Sequence, residues 1–325
     1  MSMPRILILM TEMGFGHKSA AQAIATAAER EFGDQCDVKI TNPMSNKKTP
    51  SLVRDVQSQY YDQSVQNHEI YEAMYKLGDT SIAAAAMERG LMLLLFQAVR
   101  EEIETYEPDV VIVVHENYLA LLQAFYETTN KHIPTITVIT DLTTIHRMWY
   151  HPVSDICVVP TEQAYDKALE QKLKPAQVQQ LGIPVHPDLS EEQHDKAALQ
   201  RELGWASEYV TVLVVGSKRV QDLPEKLHGI NHSRLPLQLI LVAGGDDETH
   251  AEFQNIDWHH PTHIYNFVDN LPTMMHASDI VLSKAGGLIV SEALACGLPL
   301  LLADVIPGQE TGNAGSGMLL RRICR

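Results

Sequence analysis

Short runs of consecutive apolar residues recur along the chain, and helix-forming stretches separate them. The first run covers residues 5–10 and leads through a glycine-bearing loop into an Ala-rich helix over 19–31. Further strands are predicted at 37–41, 110–115, 134–140 and 155–159, with a long helical region over 51–106 and a helix over 117–129. Strands apolar at successive positions are buried on both faces, so their alternation with helices predicts a parallel sheet covered on both sides. A short strand at 178–181 leads into a linker opened by Gly182-Ile183-Pro184. The pattern then restarts, with a helix at 191–203 and strands at 210–215, 237–242, 264–267, 280–282 and 298–303. Two successive βαβ series predict an α/β chain of two Rossmann-like domains, residues 1–182 and 183–325.

The 325 residues accommodate two domains of ordinary size. The most apolar stretch, 82–99, is interrupted by Glu88, Arg89 and Gly90 and falls short of the roughly 20 apolar residues of a membrane span. It is expected as a buried helix or one resting on a membrane. The formal net charge of -16 argues against nucleic acid as a partner and against general attraction to anionic lipid, although a local patch such as Lys47-Lys48 can still dock. Cys36, Cys157, Cys296 and Cys324 form no CxxC pair and are expected as reduced, mostly buried thiols of a cytoplasmic protein. The opening MSMPRILILM is too short for a signal peptide and is expected as the first strand. The 15 histidines are scattered without ligand spacing and Asp246-Asp247 is expected at a loop or helix start, so no metal site is expected. No GxSxG elbow is present.

In open parallel sheets ligands gather at the carboxyl ends of strands, and unusual residues fall there. The first strand runs into Thr11-Glu12-Met13-Gly14-Phe15-Gly16-His17. Gly14 and Gly16 permit a tight turn before a helix N-terminus, and His17 stands where a general base or an orienting residue is useful. Plain turn chemistry is the alternative reading of such a loop. The strand ending at Thr140 delivers Asp141, with His146 and Trp149 in the loop beyond it. The Asp and His are close enough in sequence to orient each other for proton transfer, or to be a cap and surface residues. In the second half, Ser283-Lys284-Ala285-Gly286-Gly287 opens a helix that carries Glu292. A Gly-Gly turn at a helix start suits a diphosphate, and Glu292 lies where it can meet ribose hydroxyls. The next loop, Ile306-Pro307-Gly308-Gln309-Glu310-Thr311-Gly312-Asn313, offers Gln309, Glu310 and Asn313 to sugar hydroxyls.

These segments carry a resemblance. GFGHKSAAQAI is similar to the GGGH-x-x-A-A loop of the monogalactosyldiacylglycerol synthases and the bacterial processive diacylglycerol glucosyltransferases, and TDLTTIHRMWYHP to their TDL-x-x-x-H-x-x-W segment. VVPTEQAYDKAL with QQLGIPVHP resembles the run that ends their first domain. SDIVLSKAGGLIVSEALACGLPLLL and IPGQETGN resemble their donor-sugar signature. The likeness extends in order over nearly the whole chain and, more distantly, to the peptidoglycan glycosyltransferase MurG.

The resemblance implies the GT-B fold, two Rossmann-like domains whose parallel sheets face across a cleft. It implies an inverting hexosyltransferase that moves galactose or glucose from a UDP-sugar to the free hydroxyl of 1,2-diacylglycerol, giving a β-glycoside without a metal or other cofactor. The enzyme would be cytoplasmic and peripherally associated with a membrane surface. Gly286 and Gly287 would sit at the diphosphate, Glu292 at the ribose, and Gln309, Glu310 and Asn313 at the hexose. Gly14, Gly16, His146 and Trp149 would line the acceptor side, with His17 the first choice of base and Asp141 the second. Two departures stand out. The loop after the first strand of the second domain reads Val215-Gly216-Ser217-Lys218-Arg219-Val220, with few glycines, though Gly216, Lys218 and Arg219 can still meet phosphates. The chain also stops at Arg325, soon after the PGQE loop, which reads as a second domain cut short. A MurG-like transferase with another lipid-linked or small acceptor, and an inactive UDP-sugar-binding protein, are the alternatives.

Overall fold

The computed structural model describes residues 3–13, 15–47, 49, 54, 95–190, 195–217, 220, 222–304 and 313, with the backbone alone at Phe15 and Asp304. Most of the helical stretch expected before residue 95 therefore lies outside the described residues. Lys48, Cys324, Gly14, Lys218, Arg219, Gln309 and Glu310 lie outside them as well. The described residues divide into two compact units, one ending at His186 and the other starting at Pro187.

The first unit is built on a six-stranded sheet in the order β2-β1-β3-β4-β5-β6. Its strands are β1 (Arg5–Leu9), β2 (Asp37–Thr41), β3 (Val110–Val113), β4 (Thr135–Val138), β5 (Ile156–Val159) and β6 (Val178–Gln180), and every pairing is parallel. Helices α1 (Phe15–Phe32), α2 (95–106), α3 (Leu119–Thr129) and α4 (Glu162–Glu170) accompany it. Successive β1 residues feed opposite faces. Leu7 and Leu9 join Val111, Val113 and the α3 residues Leu119, Leu121 and Leu122 in one cluster. Ile8 joins Ile112, Val114, Val138, Val158 and Ala21 of α1 in another. This two-sided burial is the reason the strands read as unbroken apolar runs.

The second unit holds a five-stranded parallel sheet in the order β11-β10-β7-β8-β9. The strands are β7 (Val210–Val215), β8 (Leu237–Val242), β9 (Thr262–Tyr265), β10 (Ile280–Lys284) and β11 (Leu300–Asp304). Around them lie α5 (Lys196–Leu203), α6 (Leu223–Lys226), α7 (His228–Asn231), α8 (Asp247–Asn255), α9 (Leu271–His276) and α10 (Gly287–Ala295). Asp195 caps α5 by accepting the Ala198 N–H at 3.1 Å.

Three local expectations change. The first helix starts at Phe15, so Gly16 and His17 belong to its first turn rather than to the loop before it. The third strand of the second unit ends at Tyr265 instead of 267, which leaves Phe267 beyond the sheet and 58% exposed. Of the three described cysteines, all free thiols, only Cys157 is buried, because Cys36 and Cys296 sit near element ends. No helix among the described residues is long and apolar enough to cross a membrane.

Candidate functional site

In the first unit the carboxyl ends of β1, β3 and β4 gather four rings. His17, in the first turn of α1, has its Nδ1 2.9 Å from the Val114 carbonyl oxygen and 2.8 Å from the Thr140 hydroxyl. A carbonyl oxygen can only accept, so the proton resides on Nδ1 and the lone pair of the neutral ring on Nε2. His115 packs against this ring with centroids 4.5 Å apart, and Trp149 lies 6.3 Å from each of the two. Tyr118 closes the other side of His115 at 6.5 Å.

The loop that follows β4 is held from several directions. Asp141 Oδ2 accepts the indole N–H of Trp149 at 2.9 Å. The Thr161 hydroxyl, which also caps α4, donates to the Leu142 carbonyl at 3.3 Å, and Lys167 Nζ donates to the Ile145 carbonyl at 2.6 Å. His146 is buried and accepts the Met148 N–H through Nδ1 at 3.4 Å. Asp141 thus orients the indole, a partnership that sequence spacing does not reveal. Trp149 is fully buried, so Trp149→Phe removes a hydrogen bond to a charged group from a packed site. A loss of about 1.5–3 kcal/mol of stability is expected in urea denaturation. An unchanged midpoint would show that the indole bond does not hold this loop.

Burial governs the electrostatics of the same edge. The His115 ring is pushed down to about 3 by its loss of solvent and stays neutral. Burial raises the Glu116 carboxyl, with the neighbouring His146 acting in the opposite direction. With the His115 ring uncharged, the 3.3 Å approach of Glu116 Oε2 to His115 Nδ1 is not an ion pair. His115 and Glu116 were not singled out from the sequence. The signal was present, since both follow directly on the apolar run of β3 at the edge where ligands collect.

In the second unit the same edge is lined by backbone. Gly216 N–H donates to the Val242 carbonyl at 2.8 Å, continuing the β7–β8 ladder beyond the strands. Gly244 has φ +72°, and a Cβ placed on it would lie 2.3 Å from the Gly216 oxygen. The two strand ends thus meet at a separation that only glycine allows. Gly245 N–H donates to the Asn266 carbonyl at 2.8 Å, and exposed Phe267 follows. Gly244-Gly245 directly after an apolar strand was a legible signal that the acids beside it obscured. Gly286, with extended φ −71° and ψ 140°, is the N-cap of α10, and Gly287 is its first residue.

Asn313 is buried, and its side-chain amide donates to the Ala285 carbonyl at 2.7 Å, so it braces the Gly286-Gly287 turn. Ser283 ties β10 to β7 by donating to the Val215 carbonyl at 2.7 Å. Glu292 is partly buried on α10, and its loss of solvent pushes the carboxyl up to about 7. Among the described residues no group of three or more His, Cys, Asp or Glu side chains could hold a metal ion.

Two parallel-sheet α/β units with their polar residues at the strand carboxyl ends define the GT-B fold. MurG from Acinetobacter baumannii aligns with a TM-score of 0.55 at 13% identity, covering 96% of this chain and 82% of its own. A UDP-GlcNAc 2-epimerase from Neisseria meningitidis, solved with UDP-GlcNAc, aligns with a TM-score of 0.56 at 13% identity, covering 98% and 92%. The family model described as Monogalactosyldiacylglycerol (MGDG) synthase matches residues 17–185, and that of the glycosyltransferase family 28 C-terminal domain matches 210–312. Monogalactosyldiacylglycerol synthase 3 of Arabidopsis thaliana is 30% identical over 97% of this chain and 71% of its own length. The spinach synthase is 29% identical over 95% of this chain and 61% of its own. The chain belongs to the monogalactosyldiacylglycerol synthase family. It spans 59–61% of the length of the first curated relatives it matches.

Proposed function

We propose that this chain is an inverting, UDP-hexose-dependent glycosyltransferase that acts on the free hydroxyl of 1,2-diacylglycerol, at a membrane surface on the cytoplasmic side and without a metal ion. The observation that carries the reading is the tautomer of His17. A proton committed to the Val114 carbonyl puts the basic lone pair of the ring on Nε2, the atom that would take the proton of an incoming hydroxyl. In this reaction the hydroxyl oxygen attacks the anomeric carbon from the face opposite UDP. The bond from that carbon to the phosphate oxygen breaks, the proton passes to His17 Nε2, and UDP leaves with the electron pair. Family membership supports the choice of donor and acceptor.

The donor reading rests on the second unit. The N-terminus of α10 at Gly286-Gly287 supplies backbone N–H groups for a diphosphate, and helix ends of this kind stabilise departing negative charge. Phe267 offers an exposed ring face on which a nucleobase can stack. Glu292 would accept from ribose hydroxyls, and Gln309 and Glu310 would hold the hexose.

Turnover of UDP-galactose and of UDP-glucose with diacylglycerol in liposomes, with the anomer read by NMR, tests the proposal. A β-glycolipid from either donor supports it and settles the sugar. UDP binding without glycolipid, or a different acceptor glycosylated instead, overturns the acceptor assignment. Unchanged turnover in a chelator and flotation of the protein with liposomes are expected, and their failure would overturn the metal-free and membrane-surface parts respectively.

The ribose contact carries its own prediction. With a carboxyl near 7, Glu292 converts to the stronger acceptor, the carboxylate, as pH rises from 6 to 8. UDP affinity is expected to rise about fivefold more over that interval in the wild type than in Glu292→Gln. Parallel pH profiles from calorimetry would remove Glu292 from the ribose. The same shift opposes folding at higher pH. Its stabilising contribution is complete below the ordinary value of 4.5 and is lost as pH rises through about 7.

A further inference from the structure

His115 has no role in the transfer chemistry described so far, yet its ring is fixed as firmly as that of His17. It follows β3, is 4% exposed, and acts as the N-cap of the short 3-10 turn Glu116–Tyr118. In that role its Nδ1 accepts the Asn117 N–H at 3.3 Å. A neutral imidazole carries one proton, and an Nδ1 that accepts leaves that proton on Nε2. Were Nδ1 the protonated nitrogen, it would face the Asn117 N–H donor to donor. The two imidazoles in contact at 4.5 Å are therefore in opposite tautomers. His17 has its lone pair on Nε2 and His115 has its proton there. Among the described residues no hydrogen-bond partner is found for His115 Nε2, in a ring that is otherwise almost wholly buried. A donor with no protein partner, on a ring with so little exposed surface, is one that a ligand oxygen can satisfy.

We propose that His115 Nε2–H is a fixed hydrogen-bond donor to the acceptor lipid, binding the ester oxygen vicinal to the hydroxyl whose proton His17 removes. This rests on the acceptor reading given above. The groups around the ring suit a permanent donor rather than a proton carrier. His17 touches one side, Trp149 and Tyr118 bound the ring, and the Glu116 carboxyl is the titratable group at Nδ1. Burial keeps the ring neutral, so the donor persists through the pH range in which an ordinary histidine titrates. A paired base and donor would give preference for a vicinal hydroxy-ester over a simple long-chain alcohol, since a site built to bond an oxygen discriminates against an acceptor that lacks it.

The test uses the full chain. Histidine ¹⁵N NMR on the wild type should show an Nε2–H tautomer for His115 from pH 5 to 8, and an Nδ1–H tautomer for His17 at pH 8. The His115 Nε2–H resonance should move when diacylglycerol in micelles is added, relative to empty micelles. With UDP-hexose present, His115→Phe should lower kcat/KM for diacylglycerol about tenfold or more while changing that for a long-chain alcohol little. His115→Gln, whose amide N–H can take the place of Nε2–H, should restore part of the preference. UDP affinity and melting temperature of each variant report whether it is folded. An Nδ1–H or doubly protonated His115, or equal losses on both acceptors in a folded His115→Phe, would overturn the proposal. If the wild type transfers no sugar to any lipid, the functional reading fails separately. The NMR response to diacylglycerol then decides on His115, and an unmoved Nε2–H resonance overturns it.

Discussion

Replacing His17 with asparagine is expected to lower kcat for glycolipid formation about 10²–10⁴-fold, the contribution of a single positioned general base. Asparagine is the informative substitution because its side-chain N–H can take over the bond that His17 Nδ1 makes to the Val114 carbonyl, while nothing replaces the Nε2 lone pair. Local packing should survive and proton removal should not. His17 is only partly buried, so the melting temperature should shift little. The affinity for UDP, read by calorimetry, should stay within about twofold, since its proposed contacts belong to the second unit. Residual activity above a tenth of wild type would transfer the base assignment to Asp141. That carboxylate already accepts the Trp149 indole N–H and would need a second line of contact to the hydroxyl.

Replacing Gly244 with alanine is expected to produce the largest structural effect of any single methyl group in the second unit. Two costs combine. A non-glycine residue at φ +72° is strained by about 1–3 kcal/mol. The added Cβ would also start 2.3 Å from the Gly216 carbonyl oxygen, which is backbone and cannot rotate away. The β7 and β8 ends must then separate, and the Gly216 N–H bond to Val242 stretches with them. Denaturation should register a loss of about 1–3 kcal/mol or more, with UDP affinity falling as well. Gly229→Ala is the matched control. It lies in α7, has no positive φ, and its Cβ would meet nothing within 4 Å, so a neutral or slightly stabilising result of up to about 1 kcal/mol is expected. Equal behaviour of the two variants would show that the close approach at Gly216 is not a constraint in solution.

Several features were legible in the sequence because their physical cause is local. Mostly apolar runs such as RILIL and LQLILV mark strands buried on both faces, and both are interior strands of parallel sheets. Gly286-Gly287 after a strand marked the entry to α10, and the structure places the pair at its N-cap and first residue. Strand ends such as Phe267 were misplaced by a few residues because apolarity continues past the last ladder bond. The roles of Gly244 and His115 are not legible in the sequence for a different reason. A glycine beside acids looks like a turn, and a histidine after a strand looks like a surface residue, until the neighbouring strand is seen beside each.

The order of residues alone thus determined the α/β class, the two-unit division and, through its motifs, the family. Each of these depends on neighbours in sequence or on a pattern repeated along it. The tertiary structure decided what the site residues do to one another. It set the tautomer of His17 through Val114, a residue 97 positions away, and the opposite tautomer of His115 through the N–H at the turn it caps. It assigned Asp141 to Trp149 and turned Asn313 into a brace for the Ala285 carbonyl. Proton positions, desolvation and close backbone approach arise from groups that only folding brings within a few ångströms.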